Sequence, residues 1–273
     1  MMSSPTSSSP GSSALPLPAF PALPDIGQQT ALFLDFDGTL VDLAAEPDAV
    51  QIAPELVPLL SRLESALGGA LAIVSGRKLA DLDHFLAPLR LASAAEHGAQ
   101  RRFAGGGLIS VPLPDLQEAA QAVTALAARY PELRIEIKAA GVAVHYRYRP
   151  ELEAVCLQVM QRAAAATAGV ELLRGKYVFE VKAVGVSKGS AIEAFMASAP
   201  FAGRVPVFAG DDVTDEAGFE VVQRLGGAGI KVGEGMTLAG HRCATPAACR
   251  EWLQAALRCA QPAQQRPMHR SSL

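Results

Sequence analysis

Two aspartates two residues apart, Asp35 and Asp37, end the apolar run Ala31 to Leu34 and are followed by Gly38 and Thr39. The run is short and flanked by turn residues, so it reads as a buried parallel strand whose carboxyl end carries both acids. In open α/β sheets that end is where ligands bind. A second strand, Ala70 to Val74, stops at Ser75-Gly76-Arg77 just before a helical pattern, an arrangement that suits either an anion site or a simple N-cap. Lys188 stands at the start of another helix, where its charge opposes the macrodipole. A third strand, Val205 to Ala209, runs into Gly210-Asp211-Asp212-Val213-Thr214-Asp215. Taken singly, the first acidic pair has a plain reading as an Asx turn and helix cap. Together the four strand and helix ends suit phosphoryl transfer, which needs an in-line nucleophile, a divalent cation and donors around the transferring oxygens. A carboxylate can be that nucleophile through an acyl phosphate, and Mg²⁺ is the hard cation expected of carboxylate ligands such as Asp35 and Asp211.

The elements that must hold these groups follow from periodicity. Pro54 to Leu67 has helical apolar spacing and stops at Gly68-Gly69, and a further short strand, Leu91 to Ala95, ends at Glu96-His97-Gly98. From about Arg101 the pattern changes. Gly105 to Gly107 suggests a hairpin, helices fit Asp115 to Arg129 and Glu151 to Ala168, and strands fit Leu133 to Ala139, Val142 to Tyr148, Val170 to Arg174 and Tyr177 to Ala183. Alternation puts Glu136 with Lys138, His145 with Arg147, and Lys176 with Glu180 and Lys182 on polar strand faces. Ile135, Ile137, Val144, Phe179 and Val181 fall on the faces under the helices. The expected fold is α/β, a doubly wound parallel-sheet core of residues 25–104 and 184–259 with a smaller α/β insert at 105–183. The final helix, Pro246 to Leu257, carries Trp252, expected in the core.

Composition narrows the classes. Half of the 273 residues are hydrophobic, no apolar run is long enough for a membrane span, and a net charge of −3 offers no footprint for nucleic acid. Cys156, Cys243, Cys249 and Cys259 lack metal-site or disulfide spacing and suggest free thiols in a reducing, cytoplasmic setting. Residues 1–24, with seven Ser and six Pro, read as a disordered tail, and 260–273 as a flexible one. No Lys or Arg precedes Arg62, so a secretory leader is not expected.

Asp35-Phe-Asp37-Gly-Thr-Leu, Ser75, Lys188 and Gly210-Asp-Asp-Val-Thr-Asp215 resemble, in order, the four motifs of the haloacid dehalogenase-like phosphatases. Ser75-Gly76-Arg77, Glu96-His97-Gly98, the run Lys176 to Lys182 and the stretch to Phe219 are similar to the trehalose-6-phosphate phosphatase branch, from about Ala31 to Trp252. The resemblance implies Asp35 as nucleophile, Asp37 as general acid and then base, and Ser75 and Lys188 as phosphate donors. It also implies Asp35, Asp37 and Asp211 around Mg²⁺, with Asp212 and Asp215 behind them, and makes the insert the family's cap. Substrate contacts would come from Ser75, Gly76, Arg77, His97, Glu136, Lys138, Arg147 and Glu180. The implied reaction is the hydrolysis of trehalose 6-phosphate to trehalose and phosphate by a monomer, with cooperation from a trehalose-6-phosphate synthase as a further expectation. The alternatives are another sugar phosphate, such as sucrose phosphate, or a non-catalytic sugar-phosphate sensor. Retention of both Asp35 and Asp37 argues against the sensor.

Overall fold

A computed structural model describes residues 20–44, 49–138, 140–175 and 177–260. The larger sheet begins with β1 (Thr30–Leu34), β2 (Leu71–Val74), β3 (Ala92–Ala95), β4 (Gln100–Arg102) and β5 (Leu108–Ser110). After the insert it resumes with β10 (Val205–Gly210), β11 (Ala228–Val232) and β12 (His241–Cys243). Its spatial order is β12-β11-β10-β1-β2-β3-β4-β5, parallel from β12 to β3 and antiparallel from β3 to β5.

The chain leaves β1 toward β2 on one side, and after β10 moves toward β11 on the other, so the order reverses between β1 and β10. Right-handed crossovers then place the connecting helices α1 (Leu56–Ala66) and α6 (Glu216–Arg224) on opposite faces. Covered on both sides, the strands are apolar throughout rather than alternating. Ala31, Leu32, Phe33 and Leu34 of β1 are all fully buried, as are Leu71, Ala72, Ile73 and Val74 of β2. Helices α2 (Leu79–Phe85), α5 (Lys188–Met196) and α7 (Pro246–Ala260) complete the two helical layers, with α1 packed on α7 and α5 on α6.

The insert is a four-stranded antiparallel sheet of β6 (Arg134–Ile137), β7 (Gly141–His145), β8 (Val170–Gly175) and β9 (Val178–Ala183), in the order β6-β7-β9-β8. Helices α3 (Gln117–Arg129) and α4 (Glu153–Ala166) cover one face. Val123, Leu126, Val144, Cys156, Met160, Phe179 and Val181 form a core there, separate from that of the large sheet. The polar residues of β6, β7 and β9 are left on the other face.

Several expectations need correction. Residues 105–110 belong to the large sheet, because the hairpin through Gly105 to Gly107 pairs β5 with β4, so the insert begins after Ser110 rather than at 105. β7 ends at His145. The Tyr146 N–H still donates to the Tyr177 carbonyl, one step further along the β7–β9 register, but the Arg149 N–H then closes a turn onto the Tyr146 carbonyl, so Arg147 sits in an exposed turn and not on a strand face. Ile137 lies on the expected face but at the uncovered end of an edge strand, 57% exposed. Trp252 packs against the core as expected but is only half-buried, and its indole N–H donates to the Pro24 carbonyl. Residues 20–24, expected to belong to the disordered tail, are held in place, with the Ala22 carbonyl bonded to the His241 ring and Phe20 under Arg242. The rest of that tail, the 261–273 stretch, Lys176 and the Cys259 side chain lie outside the described residues. The short strands β4 and β12 have too little apolar content to be read from periodicity. Among the described residues no helix is long and apolar enough to cross a membrane.

Candidate active site

The order reversal brings Asp35 and Asp211 together. Leu34 is in register with Ala209, and the Asp35 N–H donates to the Ala209 carbonyl at 2.9 Å, so the residues leaving these adjacent strands diverge around one crevice. Gly38 makes room within it. Its φ of +73° suits glycine, and a Cβ there would lie 2.1 Å from Asp211 Oδ2.

Lys188 enters from α5, whose start is fixed by reciprocal bonds between Ser187 and Ser190. Its ammonium donates to Asp35 Oδ1 at 2.7 Å and to Asp215 Oδ1 at 2.6 Å, with all three side chains almost fully buried. This explains a lysine at the positive end of a helix: two buried carboxylates offset the dipole and the desolvation. The other oxygen of Asp215 accepts from the Asp211 and Asp212 N–H groups, tying the loop after β10 to Lys188. Thr39 donates to Asp35 Oδ2 at 3.1 Å.

Burial dominates the electrostatics. It pushes the Asp35 carboxyl up to about 6 against the pull of Lys188. Burial, together with Asp215, pushes Asp211 up to about 6. Burial and the charge of Asp35 push Asp215 up to about 7. Burial alone would depress the Lys188 ammonium, but Asp35 and Asp215 hold it above the usual lysine range. One ammonium among three carboxylates leaves an excess of negative charge that a hard cation would relieve. Oxygens of Asp35, Asp211 and Asp215 lie within 4.8 Å of one another, and with Gly38 letting the Asp211 carboxylate pack against the backbone the donor set fits a small oxygen-seeking ion.

Above Lys188 lies a cavity of about 320 Å³ between the large sheet's loops and the polar face of the insert. Glu96, His97, Lys188 and Thr214 line it from one side, and Lys138, Arg174, Glu180 and Lys182 from the other. Lys138 stands 3.4 Å from Glu136 and 3.8 Å from Glu180. His97 and Glu96 both adopt positive φ, and the His97 Nδ1 is buried without a hydrogen-bond partner. Burial, reinforced by Lys188, Lys138 and Lys182, pushes the His97 pKa down to about 3, so the ring is neutral.

A family model described as trehalose-phosphatase matches residues 33–240. The chain belongs to the trehalose-phosphatase family. It is accordingly an enzyme of the phosphoric-monoester hydrolase class. It is 41% identical to the trehalose-6-phosphate phosphatase of Escherichia coli K12, over 85% of this chain and 88% of that one. It is 37% identical to the bifunctional trehalose-6-phosphate synthase/phosphatase of Thermoproteus tenax, over 77% of this chain and 29% of that one. The crystal structure of a trehalose-6-phosphate phosphatase related protein superimposes with a TM-score of 0.63 at 29% identity, covering 84% of this chain and 97% of that one.

Against that family's core-and-cap layout, the residues singled out in this phosphatase take distinct places. Asp35, Lys188, Asp211 and Asp215 form the buried cluster, while Asp212 is exposed and only caps the turn at Val213. Ser75 is buried at the end of β2, with its hydroxyl accepting from the Arg77 N–H at 3.2 Å. A Cβ on Gly76 would meet the His97 ring at 2.7 Å, so this glycine seats the histidine. Lys138, Glu180 and His97 line the cavity, whereas Glu136 stands behind Lys138, held by His145 and Lys138 as a carboxylate well below the usual range. Arg147 is remote from the lining. Asp37 is outside the carboxylate cluster, its two oxygens taken by Arg77.

Lys182, Glu96 and Thr214 stand in the polar face and motifs read from the sequence, which assigns them no site role, and they line the cavity. Sequence reasoning misses Arg174 in the lining and Lys231, whose buried ammonium donates to the Asp211 carbonyl. A lysine inside the otherwise apolar run Ala228 to Val232 is the available signal for the last.

Proposed function

We propose that this phosphatase hydrolyses trehalose 6-phosphate to trehalose and phosphate through an aspartyl-phosphate on Asp35, with Mg²⁺ as its cofactor. The observation that carries the reading is the buried Asp35–Lys188–Asp215 array opening, through Lys188, on a cavity walled by the insert's polar face. A cavity of this size with a few convergent charged groups suits a small polar ligand.

Asp35 attacks phosphorus, and as the bond to the sugar oxygen breaks, Asp37 gives that oxygen its proton. Asp37 then takes a proton from water as the water attacks phosphorus, and Asp35 leaves as carboxylate. Lys188 and the Ser75 hydroxyl neutralise and orient the transferring oxygens. Asp35 and Asp211 would hold Mg²⁺, and since Arg77 occupies the Asp37 carboxylate, Asp37 has its main-chain carbonyl left for that task. When bound, the ion offsets the charge of the phosphate dianion beside the buried carboxylates.

For the sugar, Glu180 accepts and Lys138 donates, a combination suited to hydroxyl groups, with Lys182 and the neutral His97 beside them. Phosphate release over a panel of sugar phosphates, with Mg²⁺ and with chelator, tests the reading. The expected result is a preference for trehalose 6-phosphate and no turnover in chelator. Equal rates on sucrose phosphate, or full activity in chelator, would overturn it.

A further inference from the structure

We infer that Arg77 is the positioning residue for the proton-transfer carboxylate Asp37, and not a ligand of the substrate. Its Nε and Nη2 donate to Asp37 Oδ2 and Oδ1, each at 2.7 Å, a fork that fixes both the position and the plane of the carboxylate. The guanidinium is itself seated, its carbon 4.8 Å from the Phe85 ring centroid and 5.7 Å from that of Phe36. Its side chain is only 10% exposed, so little of it is left to reach elsewhere.

The Arg77 backbone is pinned too. Its N–H donates to the Ser75 hydroxyl, and its carbonyl accepts from the Glu96 N–H at 2.8 Å. One residue therefore links the Ser75 turn, the Glu96-His97 segment that lines the cavity, and the Asp37 carboxylate. Arg77 does not itself line the cavity. The Asp37 side chain is 30% exposed, and each of its oxygens has one lone pair beyond the one given to Arg77.

The inference rests on Asp37 as proton donor, so the test includes Asp37→Asn as its reference. Turnover of trehalose 6-phosphate, whose leaving group needs a proton, is compared with that of p-nitrophenyl phosphate, whose leaving group does not. Asp37→Asn must lose far more activity on the sugar substrate; if it does not, the proton-donor reading fails before Arg77 is considered. Given that, Arg77→Met is expected to lower kcat on the sugar phosphate at least about tenfold, with KM within about threefold and the aryl phosphate within about threefold. Arg77→Lys, which keeps the charge without the fork, should fall in between. Phe85→Leu, which loosens the aromatic seat without touching Asp37, should show the same selectivity more weakly and serves if Arg77→Met does not fold. A rise in KM for the sugar phosphate at unchanged kcat would make Arg77 a substrate ligand and overturn the inference. Equal losses on both substrates would do the same by making its role general.

Discussion

The Lys188 ammonium lies 2.7 Å from Asp35 Oδ1 although 153 positions separate the two residues, and 2.6 Å from Asp215 on its other side. The insert and all of its fold are interposed in sequence, yet the chain returns to the same point. Lys188 opens the first helix after the insert, so the residue that neutralises the cluster also stands where the two parts of the molecule meet.

The balance of charge in this cluster gives a pH signature. Burial raises Asp35 to about 6 and Asp215 to about 7, above their unfolded values. Groups with raised folded pKa values contribute stability that is present below the unfolded pKa, and it is lost as pH rises through the folded values. In chelator, the contribution of the cluster should therefore fall between about pH 4 and pH 7. Mg²⁺ should restore it by binding the ionised form. The melting temperature with Mg²⁺ minus that with chelator should grow with pH across this window, and a difference independent of pH would contradict the reading.

Gly38 should be intolerant of any side chain. Gly38→Ala puts a methyl group 2.1 Å from Asp211 Oδ2 at a φ of +73°. The carboxylate must move, so kcat should drop at least about a hundredfold, or roughly 2.7 kcal/mol of barrier. Thermal stabilisation by Mg²⁺ should vanish with it while circular dichroism stays native. Retained Mg²⁺ stabilisation would show that Asp211 does not hold the ion.

His97 makes the opposite contribution to acid stability. Its folded pKa of about 3 lies below the ordinary histidine value of 6.5, so between these values the unfolded chain binds the extra proton and acidification favours unfolding. His97→Asn keeps a residue that tolerates positive φ and removes the titration. Denaturation midpoints should decline less steeply below pH 6.5 in the variant than in the parent. Parallel curves would contradict a buried neutral ring.

Much of this site is legible in the amino-acid sequence, for a physical reason. Asp35, Ser75 and Asp211 each follow a short apolar run, and parallel strands buried on both faces must expose their chemistry at one end. Lys188 is readable because it violates the helix dipole. The pairing of Arg77 with Asp37 is not, since it joins side chains 40 positions apart and depends on which way an arginine turns. Alternation misplaces Arg147 because the pattern continues past His145 while the backbone turns after Tyr146, whose carbonyl accepts from the Arg149 N–H. The insert boundary is equally hidden, because a hairpin at Gly105 to Gly107 does not reveal which sheet it extends.

Specificity should reside in the insert. Glu180 lines the cavity beside Lys138, and a site built to pair with hydroxyls discriminates by leaving buried polar groups unpaired when the ligand lacks them. Glu180→Ala should lower kcat/KM for trehalose 6-phosphate by at least about tenfold and leave p-nitrophenyl phosphate within a few-fold of the parent. Equal losses on both substrates would remove the insert as the specificity element.

The central claim is covalent catalysis by Asp35, and the most direct measurement is acid-quenched mass spectrometry of the enzyme during turnover of trehalose 6-phosphate. The expected result is a phosphoryl adduct on the peptide spanning Ala31 to Val41, located at Asp35, together with its absence and a loss of turnover in Asp35→Asn. An unmodified peptide throughout turnover, with Asp35→Asn active within about tenfold of the parent, would contradict it.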